Sequence, residues 1–471
     1  MTVPSTYAGS SRATQSAGEA SLELETALAR TPAGTVDHPV FFRGFVARPD
    51  VAAAALLAVA DVAATRYADV GLAARLTTLD PVVTASGDRL RFESFSACNG
   101  VHARFDLLPE GIESGEVGFG TTNVDINQPL RSALAEMGRA RLLHLAVGTE
   151  GLRASTPEHT HQERPVDLPD RWVRGFGETP LLAAGATPVL ELRGPAVAAA
   201  IGALPRAADP GPTISLLLVR SGLRQVLGPR PGSVTLTGAS RLRAVTRVVR
   251  FATHLSVHAH PHGATVWSFA LPGGRLTLML SPGPYRGFSG EGTLLQLLAH
   301  PDAERTGRRL LEHLHWQPRL DPRVLAGRSG LTADQVAAGL AWLSASGRVG
   351  YDLADGQWFH RELPVDSEAV LRRCPRLVSA TALVERGAVT GSEPSWAVRG
   401  SGTTYDVTRD GDRLRCTCVW EQEHHGTRGP CKHVLAVLLG LQPGDRPRPE
   451  DLTGPRQMSG TARRPRGHHL P

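Results

Sequence analysis

The stretch "RCTCVWEQEHHGTRGPCKHVLAVLLG", residues 415–440, contains three of the five cysteines of the chain. Cys416 and Cys418 stand two apart at the end of a predicted strand, so both thiols face the same side. Cys431 and His433 are also two apart, at the start of a predicted apolar helix. The residues between the two pairs include two glycines and a proline, so the chain can turn back and bring the pairs together.

Three thiolates and one imidazole form a closed tetrahedral ligand set that suits zinc and leaves no position for water. The N-terminus of the helix favours the thiolate form of Cys431. Two alternatives remain open: His424 and His425 are competing ligands in the loop, and the cysteines could be incidental. The other two cysteines, Cys98 and Cys374, lie far away in sequence and are predicted to be ordinary small apolar residues.

Composition predicts a globular, cytoplasmic chain. Of 471 residues, 41% are hydrophobic and 20% are charged. The N-terminal residues lack the apolar core of a signal peptide, and the apolar run at 51–64 is interrupted by Asp61, so we expect no export and no membrane span. In a reducing cytoplasm, close cysteines are more often metal ligands than disulfides. The one lysine, Lys432, lies inside the cysteine cluster, which excludes a P-loop and a Schiff-base lysine.

The chain is predicted to be an α+β, multidomain protein. Residues 1–35 are expected to be a flexible N-terminal segment with a short helix in "ASLELETALAR", residues 20–30. Residues 36–300 form a strand-rich α+β body with a helix after Pro49. Strand, turn and helix patterns recur in a similar order in both halves of this body, which suggests a diverged duplication.

Residues 301–363 have three helical patterns followed by two short strands, an order that is typical of a winged helix-turn-helix. Thr332 and Gln335 predict a capping box at the third helix. A DNA-reading helix needs basic or amide side chains, yet 329–347 contains no basic residue, and the two strands add Asp352 and Asp355. This composition favours protein contact over duplex reading.

Residues 364–442 are predicted to form a ββα zinc-finger region, with a hairpin that turns at Asp410 and Gly411 before the ligands. Residues 443–471 are predicted to be a disordered basic tail. Of the formal net charge of +6, this tail supplies six arginines against three acidic residues, or +3. The body and the finger are therefore close to neutral, and the net charge does not by itself indicate nucleic-acid binding.

Cys-x-Cys, a variable loop and Cys-x-His, preceded by a hairpin and followed by a helix, resemble the SWIM zinc finger over residues 395–441. In addition, "HPVFFRGF" and "YRGFSGEG" resemble large bacterial SWIM-finger proteins. The resemblance implies zinc held by Cys416, Cys418, Cys431 and His433. It also implies protein partners, among them a MoxR-type ATPase or a von Willebrand A protein. SWIM fingers as a class are implicated in both DNA binding and protein interaction.

The sequence thus predicts a non-enzymatic, zinc-binding interaction or adaptor protein in a cytoplasmic assembly. The alternative is a DNA- or RNA-binding protein that uses the finger, the winged helix and the arginine-rich tail. Trp420 is expected either to anchor a partner or to lie against the body. The finger is expected to unfold alone when zinc is removed, leaving the body intact.

Other motifs give weaker signals. His258, His260 and His262 alternate, but Pro261 bends the chain, so a solvated hairpin end is favoured over a second metal site. "GFGTTN", residues 118–123, lacks the third glycine of a dinucleotide site, and "FSGEG", residues 288–292, lacks the spacing of a nucleophile elbow. The sequence contains no supported catalytic set.

Overall fold

The computed structural model describes residues 12–16, 19–23, 29–31, 34–36, 40–67, 81–124, 126–148, 151–157, 159–163, 168–204, 212–219, 222–283, 287–363, 365, 374–411, 413–426 and 428–441. The predicted disorder of 443–471 therefore concerns residues outside the described part. Near the N-terminus, β1 (Arg12–Ser16) pairs with β2 (Glu19–Glu23), and β3 (Ala29–Thr31) pairs with β4 (Gly34–Val36). The short helix expected in 20–30 is wrong where residues are described, because β2 and β3 occupy that stretch.

The body combines helices with several antiparallel sheets. Its strands are β5 (Val40–Val46), β6 (Val82–Ser86), β7 (Leu90–Phe95), β8 (Val101–Leu107), β9 (Ile112–Val117), β10 (Phe119–Asn123), β11 (His144–Gly148), β12 (Gly151–Ser155), β13 (Thr160–Glu163), β14 (Thr187–Arg193), β15 (Thr213–Val219), β16 (Gly222–Val226), β17 (Ser233–Thr237), β18 (His254–Ala259), β19 (Thr265–Leu271) and β20 (Gly274–Leu280). Its helices are α1 (Pro49–Ala64), α2 (Gln128–Ala135), α3 (Asp170–Ala184), α4 (Pro195–Gly202) and α5 (Thr293–Leu298).

The largest sheet has eight strands in the order β10-β6-β7-β8-β20-β19-β18-β14, and smaller sheets have the orders β13-β12-β11-β5-β9 and β16-β15-β17. A strand, a helix and a three-strand meander occur twice, as β5-α1-β6-β7-β8 and as β14-α4-β18-β19-β20, with β15, β16 and β17 inserted in the second. The two meanders meet where β8 pairs with β20. The pairing of the two units differs, because β14 pairs with β18 whereas β5 lies in a different sheet from β6, so the duplication stays a prediction.

Helix α1 begins at Pro49, as predicted, and lies on the apolar face of the large sheet. Thirteen of its sixteen residues are buried, which is typical of a helix that is apolar on nearly all sides. It packs against β7 and β8, whose inward side chains include Phe92 and Phe105.

The opposite face of the large sheet carries charged side chains in register. Asp106 on β8 lies opposite Arg91 on one neighbouring strand and opposite Arg275 on the other. Helix α3 and a two-stranded hairpin cover this face, so all three charged residues are buried. The polar side of the sheet is therefore an interior surface.

The segment 301–363 contains α6 (Ala303–Leu311), α7 (Pro322–Ser329), α8 (Ala333–Ala345), β21 (Val349–Asp352) and β22 (Gln357–His360). The predicted capping box is confirmed, because Thr332 Oγ1 accepts from Gln335 N and Gln335 Oε1 accepts from Thr332 N. Beyond its first turn, α8 is almost wholly buried against α6, α3 and α5. The β21–β22 hairpin is the element that covers the charged sheet face, and Asp352 points into it.

The C-terminal region contains α9 (Pro375–Glu385), β23 (Val389–Ser392), β24 (Ser395–Arg399), β25 (Thr404–Asp410), β26 (Arg413–Cys416), α10 (Val419–His424) and α11 (Lys432–Gly440). The hairpin turns at Asp410 and Gly411 as predicted, with Gly411 at φ 59°. Helix α11 packs on α9 and on the four-stranded sheet. Its apolar side chains belong to the same hydrophobic cluster as residues of α3, α5 and α8. None of the described helices is both long and apolar enough to cross a membrane.

Candidate metal centre

The structure brings the four predicted ligands together. The ligand atoms of Cys416, Cys418, Cys431 and His433 all lie within 4.8 Å of one another, and all four residues are buried. The Nδ1 atom of His433 lies 3.6 Å from Cys416 Sγ and 4.0 Å from Cys431 Sγ. Of the residues that the structure describes, only this set of histidine, cysteine and acidic residues is grouped closely enough to hold a metal ion.

These spacings fit zinc. Zinc bonds of about 2.3 Å to sulfur and about 2.0 Å to nitrogen, in tetrahedral geometry, place nitrogen about 3.5 Å from sulfur and two sulfurs about 3.8 Å apart. The distances around His433 Nδ1 are close to these values. The cluster could therefore bind a metal and is compatible with a zinc finger.

Local secondary structure fixes each ligand. Cys416 ends β26, where it pairs with Val407, and Cys418 is the N-cap of α10. Cys431 is the N-cap of α11, and its Sγ accepts a hydrogen bond from the backbone N–H of Val434 at 3.4 Å. Two of the three thiols thus sit at helix N-termini, where the helix dipole favours negative charge.

The ring of His433 is held by stacking. It lies on Tyr405 of β25 with ring centroids 4.2 Å apart and an interplanar angle of 23°. Because the stacking fixes the plane of the imidazole, Nδ1 is held facing the thiols. The hairpin expected before the ligands therefore has a direct part in presenting the fourth of them.

The thiols are electrostatically unequal. A hydrogen bond from Cys416 lowers the pKa of Cys431 to about 4, and His433 and the backbone N–H of Val434 act in the same direction. The same hydrogen bond raises the pKa of Cys416, and burial raises the pKa of Cys418. Cys431 is the thiol best prepared to act as a thiolate ligand.

The competing histidines lie outside this group. The ring of His424 packs edge-on against Trp420, with centroids 4.4 Å apart, and its Nε2 lies 3.9 Å from Glu423. His425 is exposed and adopts a left-handed conformation, with φ 46°, that ends α10. The histidines near 260 form no metal group either: His260 is buried, and burial lowers its pKa to about 4.

The segment between the two ligand pairs, residues 419–430, is here called the knuckle. Trp420 lies within it and is only partly exposed. The indole N–H of Trp420 donates to the carbonyl of Gly429 at 3.2 Å, and the Arg376 guanidinium lies 4.3 Å from the ring centroid. These contacts favour a structural role for Trp420 over that of a partner anchor, because the ring connects the two ends of the knuckle. Sequence reasoning missed Arg376, which comes from α9.

Replacing Trp420 by alanine should therefore destabilise the knuckle. We expect a loss of about 2 kcal/mol in the free energy of unfolding, below the 3–5 kcal/mol typical of a fully buried tryptophan, together with weaker zinc binding. Urea denaturation and competition with a chromophoric chelator measure the two effects. Val419→Ala is the control, because this neighbouring side chain is 64% exposed. If Trp420→Ala matches that control in both measurements, the structural role is wrong.

No protein-family model and no curated protein matches the chain. Among solved structures, the PCNA2–PCNA3 complex from Sulfolobus tokodaii is similar over 51% of this chain and 99% of the other, with 11% identity and a TM-score of 0.38. Proliferating cellular nuclear antigen from Entamoeba histolytica is similar over 52% and 99%, with 10% identity and a TM-score of 0.34. At these TM-scores the likeness carries no argument about function. These matches give no support to a MoxR-type or von Willebrand A partner. Among the described residues, the feature that bears on function is the cluster of three cysteines and one histidine, which could hold a metal ion.

Proposed function

We propose that the chain is a non-enzymatic zinc protein with a SWIM-type finger, and that the finger acts as an interaction module in a cytoplasmic assembly. The closed ligand set carries this proposal. Four buried protein ligands occupy all positions of a tetrahedral zinc, so water and substrate have no place on the metal. Such a site contributes stability and rigidity to a surface.

The surface that the metal would stiffen is the outer face of α10. Val419, Gln422 and Glu423 are exposed on this face, while Glu421 on the opposite side is buried. Candidate ligands flank the short helix in sequence, and its own Trp420 donates a hydrogen bond to the carbonyl of Gly429. A rigid surface loses little conformational entropy on binding, which favours its use as a contact. We therefore place the protein contact at Val419 rather than at Trp420.

The burial of α8 weakens the nucleic-acid alternative, in which this helix would be the recognition helix. A recognition helix must expose one face to the groove, yet α8 is buried beyond its first turn. The β21–β22 hairpin is equally engaged, because Asp352 is 1% exposed and ion-paired with arginines of the sheet. The alternative then rests on the finger, which has six basic and five acidic residues in 399–441, and on the tail.

Replacing Val419 by aspartate should weaken partner capture at least about tenfold while leaving zinc content unchanged. An acidic residue in the first turn suits α10, so the fold should tolerate the change. The measurement is quantitative co-purification of cross-linked partners from the native cells, with zinc determined on the same samples. Val378→Asp is the matched control, since Val378 is 49% exposed on α9 and helix geometry places it on the opposite side of α9 from Arg376.

Equal loss of partners in both variants, or none in either, would count against the knuckle contact. Binding to generic duplex DNA, measured against salt for the full chain and for a chain ending at Leu441, tests the alternative. Strong salt-dependent binding that disappears with the tail would favour nucleic acid as the partner.

A further inference from the structure

Arg376, in the first turn of α9, links the knuckle to the body. Its side chain is 14% exposed and forms an ion pair with Glu291 of the body at 2.8 Å. The same guanidinium donates to the carbonyls of Pro430 at 2.8 Å and Arg428 at 3.2 Å. Arg376 therefore holds the backbone at Arg428 and at Pro430, the residue directly before Cys431.

A second contact joins the same two regions through backbone atoms. A Cβ added to Gly429 would lie 2.7 Å from the Cα of Gly292, closer than side-chain carbons approach other atoms. Only glycine at position 429 allows the knuckle to lie this close to the body. Gly429 also accepts the hydrogen bond from Trp420, so one residue serves both the knuckle and the docking contact.

The body side of this contact is a short loop, residues 287–292, that is itself tied to the core. The N–H of Gly290 donates to Glu178 of α3 at 2.8 Å. The N–H of Phe288 donates to the carbonyl of Asn99, in the β7–β8 turn of the large sheet, at 2.7 Å. A continuous set of contacts thus runs from Cys431 through the knuckle and this loop to the eight-stranded sheet.

We propose that Arg376 and Gly429 are positioning residues of the metal centre. By docking the knuckle on loop 287–292, they place Cys431 for metal binding, and the bound metal in turn orders that loop. This inference rests on the proposed zinc function. Residues outside the ligand set that orient a ligand commonly change metal affinity by about 10- to 100-fold. Thermodynamic linkage requires that the effect be reciprocal, so zinc must stabilise the loop by the same coupling free energy.

The test compares two glycines of the knuckle in the full-length protein. Gly426 and Gly429 both have φ 75°, but a Cβ at Gly426 would meet nothing within 4 Å. Gly426→Ala therefore reports backbone strain alone, whereas Gly429→Ala adds the clash with the body. Zinc affinity is measured by chelator competition. Hydrogen exchange of peptides that cover 287–299 is measured with zinc and after chelation.

We expect Gly429→Ala to bind zinc at least about 10-fold more weakly than Gly426→Ala, and Arg376→Gln to weaken binding in the same range. In the unaltered protein, chelation should speed exchange in 287–292. In Gly429→Ala, exchange in this loop should be fast with or without zinc. Equal zinc affinity of the two glycine variants, or a loop indifferent to zinc in the unaltered protein, would overturn the inference. Absence of zinc from the unaltered protein would instead overturn the zinc function on which the inference rests.

Discussion

Replacing Cys431 by serine is expected to remove the metal and unfold the finger. Structural zinc contributes on the order of 10 kcal/mol to the folding of small fingers, and loss of one thiolate removes most of this contribution. Elemental analysis should give about one zinc per chain for the unaltered protein and none for the variant. Limited proteolysis should then cut within 389–441. The structure also predicts an effect beyond the finger, because α11 packs into the same hydrophobic cluster as α3, α5 and α8.

Cys98→Ser is the matched control for this experiment. Cys98 is also buried and belongs to the other hydrophobic cluster, with the core of the large sheet. This variant should keep its zinc and its protease resistance. Zinc near zero in unaltered protein purified without chelator, or full zinc retention in Cys431→Ser, would show that the ligand assignment is wrong. A body that is wholly indifferent to zinc would restore the expectation of an independent finger.

The grouping of Cys416, Cys418, Cys431 and His433 was predictable because its determinants are local in sequence. Cys416 ends a strand, and Cys431 and His433 begin a helix, as their spacing predicts. Cys418 is predicted on the same strand but lies beyond its end, as the N-cap of the short helix α10. The surroundings of the set depend on tertiary packing and could not be read from spacing. Arg376 lies on a different helix, and nothing in the sequence around it indicates a metal site. For the same reason, Trp420 was open to two interpretations until its contacts with Gly429 and Arg376 were visible.

The large sheet shows the same division between local and tertiary information. The alternation in "LRFESF" and "VHARFDL" predicts strands with one apolar and one polar face, and the polar face of an antiparallel sheet commonly meets water. Here that face is covered by the β21–β22 hairpin, because charges on the two surfaces compensate one another. In the sequence, the negative charge of Asp352 argues against a DNA-binding role for the β21–β22 hairpin. Its role is to face inward, toward arginines that come from strands more than seventy positions away in the chain.

Asp352 is the centre of this buried network. Its carboxylate lies 2.6 Å from Arg275, 3.2 Å from Arg104 and 3.3 Å from Arg89. Burial alone would raise the pKa of Asp352, but Arg104 and Arg275 outweigh it and hold the pKa below its usual value. The carboxylate is therefore ionised at neutral pH. Since a buried charge is costly unless it is paired, each partner in this network depends on the others.

Replacing Asp352 by alanine should accordingly destabilise the protein by about 3–5 kcal/mol, because the buried arginines lose their shared counter-charge. Urea denaturation of the full chain measures this loss. Asp355→Ala is the matched control: Asp355 also pairs with Arg89, at 2.9 Å, but its side chain is 19% exposed against 1% for Asp352, so the loss should be smaller, about 1 kcal/mol. Asp352→Asn keeps the shape and removes only the charge, and it should remain closer to Asp352→Ala than to the control. A loss below about 1 kcal/mol in both Asp352 variants would show that other groups balance the charge of the buried arginines. Apolar contacts alone would then hold the hairpin on the sheet.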